Sequence, residues 1–175
     1  MITPPWYVIT GGPSTGKTTL VDLLAKRGYR TAIEEARHYF EIEKALGINS
    51  DQARENVRLF QENVLTLQIQ LEASLDPEEL IFLDRALPDE LAYYRYLGIE
   101  PDRRLDVALQ KAHYRKVFIL DLLPLHHDYV RSEDVQAQHS IQQMLIDVYS
   151  ARPEPLIRVP VMPTEERADF ILKNL

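Results

Sequence analysis

The sequence predicts an α/β fold in which helices cover both faces of a mostly parallel five-stranded sheet. Five short and nearly continuous apolar runs are typical of parallel strands that are buried on both faces. Helical patterns lie between these runs, and strands that alternate with helices form βαβ units with right-handed crossovers. The predicted strands are Trp6–Thr10, Arg30–Glu34, Leu80–Asp84, Lys116–Asp121 and Leu156–Val161. We expect the last strand at an edge, because Pro160 has no N–H for a neighbouring strand.

The helices between these strands are predicted from apolar residues at spacings of three and four. They span Lys17–Arg27, Asp51–Leu75, Asp89–Tyr96, Leu105–Ala112, Ser132–Tyr149 and Thr164–Leu172. In the longest helix one apolar stripe comprises Val57, Phe60, Val64, Leu67 and Leu71. We expect this stripe to face the domain's own core, and a homodimer seam is the alternative. Gln61 and Gln68 lie off the stripe and are candidates for substrate contact.

The composition indicates one packed domain over residues 1–175. Apolar residues make up 45% and charged residues 27%, and no Gly/Ser-rich linker divides the chain. The formal net charge is −7, from 20 basic and 27 acidic residues, which disfavours a protein that coats nucleic acid. The absence of cysteine excludes disulfides, thiolate metal sites and cysteine nucleophiles.

We expect neither an N-terminal signal peptide nor a membrane-spanning helix. The first six residues lack the positive and apolar regions of a signal peptide. No apolar run approaches the ~20 residues that a membrane-spanning helix needs. Because a chain without disulfides also suits a reducing compartment, we expect a cytoplasmic protein without a membrane span.

The segment from Gly11 to Thr18 fits G-x-x-x-x-G-K-[ST], the pattern of a phosphate-binding P-loop, between an apolar strand and an amphipathic helix. Its glycines let successive backbone N–H groups face phosphate oxygens, and the helix adds its positive N-terminal end. Lys17 is expected to contact the β- and γ-phosphates, and Thr18 to bind Mg²⁺. The predicted nucleotide-binding residues are Gly11, Gly12, Ser14, Thr15, Gly16, Lys17, Thr18 and Thr19, and the cofactors are ATP or GTP with Mg²⁺.

Asp84 ends an apolar strand and is the predicted second Mg²⁺ residue, directly or through water. A carboxylate that only caps the following turn is the structural alternative. Arg85 follows at once and is expected either to clamp a phosphoryl group or acceptor, or to form a surface ion pair with Asp89. We therefore assign Arg85 and Asp89 to a candidate substrate-binding site.

Glu34 and Glu35 follow the second predicted strand, where ligands of α/β sheets bind. One of the two carboxylates is a candidate for the base that accepts the proton of an attacking hydroxyl. Adjacent side chains on a strand point to opposite faces, so at most one of them serves. Arg37 is a further candidate for the acceptor site, whereas Tyr39 is more typical of core packing.

A polar segment after the fourth strand is the predicted lid, over about residues 122–140. Arg131 in this segment is expected to stabilise charge on the transferring phosphoryl group. His126 and His127 are adjacent and do not share a helix face, so we interpret them as surface residues rather than metal ligands. Val161 to Thr164 are a candidate region for an adenine pocket.

Several segments together resemble a known family. GGPSTGKTTL, EEAR, FLDRALPDELAYY, VFILDLLP, DYVRSED and VPVMPTEERADFIL are similar to the small P-loop ATPases of AAA-domain type that are related to the kinase domain of the bacterial NAD regulator. That relative is a ribosylnicotinamide kinase. The resemblance implies nucleotide binding with Mg²⁺ and a kinase-type sheet of order 2-3-1-4-5, with Asp84 on the strand beside the P-loop strand.

Two functions remain open after this resemblance. The first is an ATP-dependent kinase of a nucleoside or another small hydroxyl compound. The second is a regulatory nucleotide-binding module with weak ATPase or GTPase activity. We expect the domain to stand without the adenylyltransferase domain of the NAD regulator, which leaves the acceptor open. An AAA+ motor is disfavoured because the extra helical lid domain has no room, and a GTPase because Asn-Lys-x-Asp is absent.

Overall fold

The computed structural model describes residues 3–33, 57–123 and 135–175, and it confirms the predicted α/β class. The strands are β1 (Trp6–Thr10), β2 (Arg30–Ala32), β3 (Ile81–Asp84), β4 (Lys116–Leu120) and β5 (Leu156–Val159). The described helices are α1 (Lys17–Lys26), α2 (Val57–Ser74), α3 (Leu87–Leu97), α4 (Arg103–Lys111), α5 (Val135–Ser150) and α6 (Thr164–Lys173). None of these helices is both long enough and apolar enough to cross a membrane.

The five strands form one parallel sheet in the order β2-β3-β1-β4-β5, as the family resemblance implies. In the central part of the sheet, Ile9 lies beside Asp84, and Thr10 lies beside Ile119. The carboxyl ends of β1, β3 and β4 therefore meet at one edge. Ligands of open α/β sheets bind beyond this edge, and the segment from Gly11 to Lys17 begins there.

Each face of the sheet carries its own core, because consecutive side chains of a strand point to opposite faces. Val8 is fully buried in the core that contains Leu145 of α5, together with residues of α2, α3 and α4. Ile9 is fully buried in the other core, with Leu24 of α1 and Ile171 of α6. The result is the three-layer arrangement that near-continuous apolar strands predict.

The element ends differ from the predictions for local reasons. β5 is an edge strand, as predicted, and it ends at Val159, just before Pro160. β2 ends at Ala32, and Glu34 lies outside the described residues. α3 begins at Leu87 rather than Asp89, because Pro88 at the start of a helix removes an N–H that needs no partner there.

The predicted apolar stripe of α2 is wrong in its position. Of its five residues only Val64 is buried, at 4% exposure, and Leu71 packs against the core while partly exposed. The buried face comprises Gln61, Val64, Leu65, Gln68 and Glu72. The apolar pattern failed because polar side chains can also be buried where they are hydrogen-bonded. Gln61, Gln68 and Glu72 are all hydrogen-bonded.

Candidate functional site

The segment between β1 and α1 folds as a tight loop at the carboxyl edge of the sheet. Gly11 has a φ of +148°, and a Cβ atom there would lie 3.0 Å from the Leu120 carbonyl oxygen. Gly16, which precedes α1, has a φ of +81° in the left-handed region that glycine adopts without steric cost. The two glycines of the motif therefore occupy positions where a side chain would clash or strain the backbone.

Lys17 lies folded over this loop with its side chain buried. Its Nζ donates to the carbonyl oxygens of Gly11 at 2.7 Å and Gly12 at 2.9 Å, and to Thr15 Oγ1 at 3.3 Å. The ammonium group thus sits inside the curve of the loop, beside the N-terminal end of α1. Backbone N–H groups, a helix N-terminus and a cation at one point are the elements of an anion site.

Thr18 and Asp84 meet at the same edge, as the sequence predicts. Thr18 Oγ1 lies 3.4 Å from Asp84 Oδ2, and Asp84 is 2% exposed. A hydroxyl and a carboxylate oxygen are both ligands that suit Mg²⁺. Among the described residues no group of three or more His, Cys, Asp or Glu side chains could hold a metal. The Thr18 hydroxyl and the Asp84 carboxylate fit Mg²⁺, which prefers oxygen ligands and keeps several waters.

Two glutamines of α5, which sequence analysis missed, hold the loop from one side. Gln142 Oε1 accepts from the Gly12 N–H at 2.7 Å, and its Nε2 donates to Leu120 O at 3.1 Å. Gln138 Nε2 donates to the Pro13 carbonyl at 2.9 Å and to Leu123 O at 3.0 Å. A signal existed, because both glutamines fall on the buried face of α5 at helical spacing. They fix four polar backbone atoms that border the loop and β4.

Arg167 of α6 holds the loop from the other side, and sequence analysis gave it no role. It is 3% exposed, and its Nη1 donates to the Thr15 carbonyl at 2.6 Å. The sequence signal that could have identified Arg167 is its place, as a cation, on the same face of α6 as the apolar residues Ala168 and Ile171. Burial lowers the pKa of the Arg167 guanidinium, since the charged form loses its hydration.

Arg85 and Asp89 form an ion pair with 3.7 Å between Arg85 Nη1 and Asp89 Oδ1. Both side chains are buried, so the expectation of a surface ion pair is wrong in its environment. Arg85 also stacks its guanidinium 4.9 Å from the centre of the Tyr93 ring, and its φ is +65°. A non-glycine residue in this left-handed region carries strain, which is a feature of functional sites.

The Asp89 carboxylate is fully buried and accepts hydrogen bonds from three further donors. Thr10 Oγ1 donates at 2.5 Å, the Ala86 N–H donates at 3.1 Å, and the Tyr149 hydroxyl donates a short hydrogen bond. Burial raises the pKa of the Asp89 carboxyl, while Arg85 and the donors act in the opposite direction. Since Thr10 directly precedes Gly11, Asp89 joins the P-loop strand to α3 and α5.

A second buried carboxylate, Glu72 of α2, lies at the N-terminal end of α3. It accepts from the Leu87 N–H at 2.8 Å, the Gln68 amide at 2.9 Å and the Tyr114 hydroxyl at 2.8 Å. Burial raises the pKa of Glu72, and these three donors counteract the rise. In the same region Gln61 Nε2 donates to Glu90 Oε2 at 2.6 Å.

The remaining predicted residues are only partly described. Thr19 is exposed on the first turn of α1, and Val161 to Thr164 connect β5 to α6. Of the predicted lid, residues 122–123 and 135–140 are described. The candidate residues that lie outside the described residues are Glu34, Glu35, Arg37, Tyr39, His126, His127 and Arg131.

A P-loop after the central strand of a 2-3-1-4-5 parallel sheet defines the kinase class of P-loop folds. A family model described as "AAA domain" matches residues 6–167, and the chain belongs to this AAA-domain family, as the sequence resemblance indicates. No curated protein matches the sequence significantly.

Several solved structures share this fold at low sequence identity. NadR protein in complex with NR is 17% identical with a TM-score of 0.71, and the match covers 96% of this chain and 48% of that one. Deoxyadenosine kinase from M. mycoides with bound dCTP is 16% identical with a TM-score of 0.67, and thymidylate kinase from Ehrlichia chaffeensis is 14% identical with a TM-score of 0.66. Both of these matches cover 97% of each chain. The chain thus spans about half of the NadR structure, and at these identities the structural similarity shows a shared fold alone.

Proposed function

We propose that the protein is a Mg²⁺-dependent phosphotransferase that uses ATP and phosphorylates a hydroxyl of a nucleoside or a similar small molecule. The observation that carries the proposal is the meeting of Lys17, Thr18 and Asp84 at one edge of the sheet. The acceptor class is supported by the similar fold of a deoxyadenosine kinase and of NadR in complex with NR.

The donor side of the proposed site is built from the loop and the two strand ends. Lys17 binds the β- and γ-phosphates, and Thr19 contacts the α-phosphate. Thr18 and Asp84 hold Mg²⁺, directly or through water. When bound, Mg²⁺ and ATP supply a transferable phosphoryl group with part of its negative charge neutralised. The chain contributes position and charge, because phosphoryl transfer asks for little covalent chemistry from the protein.

The acceptor side of the proposed site combines described and undescribed residues. Arg85 and Arg37 bind the acceptor, and Asp89 sets the position of Arg85 through their ion pair. Glu34 or Glu35 accepts the hydroxyl proton as the acceptor oxygen bonds to phosphorus and the bond to the leaving diphosphate breaks. Arg131 stabilises the charge that develops during this step. We further propose one domain over residues 1–175 with its lid at about 122–140.

The proposal is tested by nucleotide consumption with Mg²⁺ and either ATP or GTP. The reaction is run alone and with a panel of nucleosides that includes nicotinamide riboside. We expect acceptor-dependent formation of nucleoside diphosphate, and a loss of about 10²-fold or more in Lys17→Ala, the scale on which removal of one positioned charge group lowers rates. Lys26→Ala, an exposed lysine of the same helix, is the matched control and keeps full activity.

Full activity of a folded Lys17→Ala variant contradicts the proposal. Slow hydrolysis that no acceptor changes, together with tight nucleotide binding, supports the regulatory module instead. A melting curve of Lys17→Ala that matches the native curve separates a functional loss from misfolding.

A further inference from the structure

Arg167 is a buried cation at the P-loop whose hydrogen-bonding capacity is mostly unused. Its Nη1 donates to the Thr15 carbonyl, and a Cβ atom on Gly16 would lie 3.6 Å from this Nη1. The Nε and Nη2 atoms are buried and have no hydrogen-bond partner among the residues that the structure describes. A guanidinium carries five N–H donors in a fixed fork, so several donors remain beside the start of α1.

Arg167 has no ion-pair partner among the described residues, and Asp121, the carboxylate that acts on its charge at longer range, is itself paired with Arg158. None of the ion pairs in this part of the chain includes Arg167. The carboxylates of Glu165 and Asp169, on the same helix, pair with Arg27, and Asp121 pairs with Arg158. A buried charge without a partner is strongly unfavourable, and arginine does not escape the cost by losing its proton.

The contact with Thr15 alone does not account for an arginine at this position. On the opposite side of the loop, Gln138 caps the Pro13 carbonyl with a neutral amide at 2.9 Å. A neutral group therefore suffices to hold a carbonyl of this loop. What the guanidinium adds is positive charge and a planar set of donors, which match phosphate oxygens.

We propose that Arg167 is a phosphate-binding residue, whose free N–H groups and charge are satisfied by the phosphate chain of the nucleotide in the P-loop. This inference rests on the proposed function, since it places a nucleotide there. It makes Arg167 a second fixed cation beside Lys17, contributed by the C-terminal helix rather than by the loop. Nucleotide binding would then join α6 to the P-loop through one side chain.

The test compares the dissociation constants of ATP and of inorganic tripolyphosphate, measured calorimetrically with native protein and the Arg167→Gln variant. We expect both constants to rise at least 10-fold by the same factor, because both ligands carry the phosphate chain. The matched control is Arg158→Gln, which removes an exposed arginine from β5 and leaves both constants unchanged. A loss confined to ATP, with tripolyphosphate unaffected, overturns the assignment to phosphate.

Melting temperatures without ligand separate this role from a structural one. Removing an unpaired buried charge should leave the ligand-free Arg167→Gln protein about as stable as native, with a smaller upward shift on adding ATP. A lower melting temperature with unchanged dissociation constants would show a structural arginine and overturn the inference. If Arg167→Gln does not fold, Arg167→Met removes the charge and the donors while keeping an apolar side chain of similar length, and unchanged binding in that variant has the same meaning.

Lys17→Ala distinguishes the two proposals. Weak binding in Lys17→Ala with native binding in Arg167→Gln overturns the inference and leaves the nucleotide site in place. Native protein that binds neither ATP nor tripolyphosphate overturns the proposed function, and the inference with it.

Discussion

The two sides of the P-loop strand are held by different chemistry. On the α5 side, the neutral amides of Gln138 and Gln142 bind backbone atoms of Gly12 and Pro13. On the α3 side, the buried carboxylate of Asp89 accepts from Thr10 at the end of β1. Amides do not titrate. Burial raises the pKa of a carboxylate, and losing the partner of a buried carboxylate lowers the stability of the fold strongly. The loop is therefore positioned independently of pH, while its supporting layer is not.

Replacing Asp89 should have the largest effect of the changes that test this comparison. Asp89→Leu removes the carboxylate that pairs with the buried guanidinium of Arg85 and that accepts from the Thr10 and Tyr149 hydroxyls. We expect the free energy of unfolding to fall by about 3–5 kcal/mol, the cost of breaking a buried ion pair. Urea denaturation at pH 7 measures it.

Asp169→Leu is the control for Asp89→Leu, because it removes a carboxylate whose ion pair with Arg27 is exposed. Exposed pairs contribute little to stability, so this variant should unfold nearly as native protein does. Equal losses in the two variants would show that burial does not distinguish these ion pairs, and the comparison between the two sides would fail.

The parts of the site that sequence analysis predicted are local in sequence or lie at strand ends. The loop, Lys17 and the approach of Thr18 to Asp84 follow from one motif and from a second apolar strand that ends in a carboxylate. The sheet order required the family resemblance. Gln138 and Arg167 were missed because they contact Pro13 and Thr15 across 125 and 152 residues of sequence. No periodic pattern identifies such partners.

The longest helix shows the opposite failure, in which a pattern was present and misleading. Apolar spacing placed the buried face of α2 on Val57, Phe60 and Leu67, whereas the buried face includes Gln61, Gln68 and Glu72. Hydrophobic periodicity counts a polar side chain as exposed. It does not detect that Glu72, beside the start of α3, accepts hydrogen bonds from three donors.

After Asp89→Leu, the next largest effect is expected from replacing Gln142, which should lower both stability and the affinity for nucleotide. Gln142→Leu leaves the Gly12 N–H and the Leu120 carbonyl buried without partners. We expect a loss of about 1–3 kcal/mol in the free energy of unfolding, the cost of leaving a buried polar group unsatisfied. Because the loop is then less well positioned, ATP should also bind about 10-fold more weakly, measured by calorimetry.

Gln143→Leu is the matched control for Gln142→Leu, because the neighbouring amide is exposed and donates to Asp147 on its own helix. It should change neither stability nor ATP binding appreciably. A Gln142→Leu protein that is destabilised but binds ATP normally would show that the glutamine supports the fold without positioning the loop.

The smallest expected effect is on the pH dependence of the free energy of unfolding, which should differ between the α3 side and the α5 side. Burial raises the folded-state pKa of Glu72 above its value in the unfolded chain. The folded protein therefore binds more protons than the unfolded chain between about pH 4 and that raised pKa. Across this window the contribution of Glu72 to stability falls as the pH rises, by about 1.4 kcal/mol for each unit of pKa difference.

Glu72→Gln removes this titration, so its unfolding free energy relative to native protein should rise as the pH increases from 4 to 8. Gln142→Leu, on the neutral side of the loop, should differ from native protein by the same amount at every pH. Urea denaturation at several pH values measures both differences. If the Glu72→Gln difference stays constant, the donors from Gln68, Tyr114 and Leu87 offset the burial fully. In that case Glu72 adds no pH dependence, and the pH dependence of the α3 side is left to Asp89, whose pKa burial also raises.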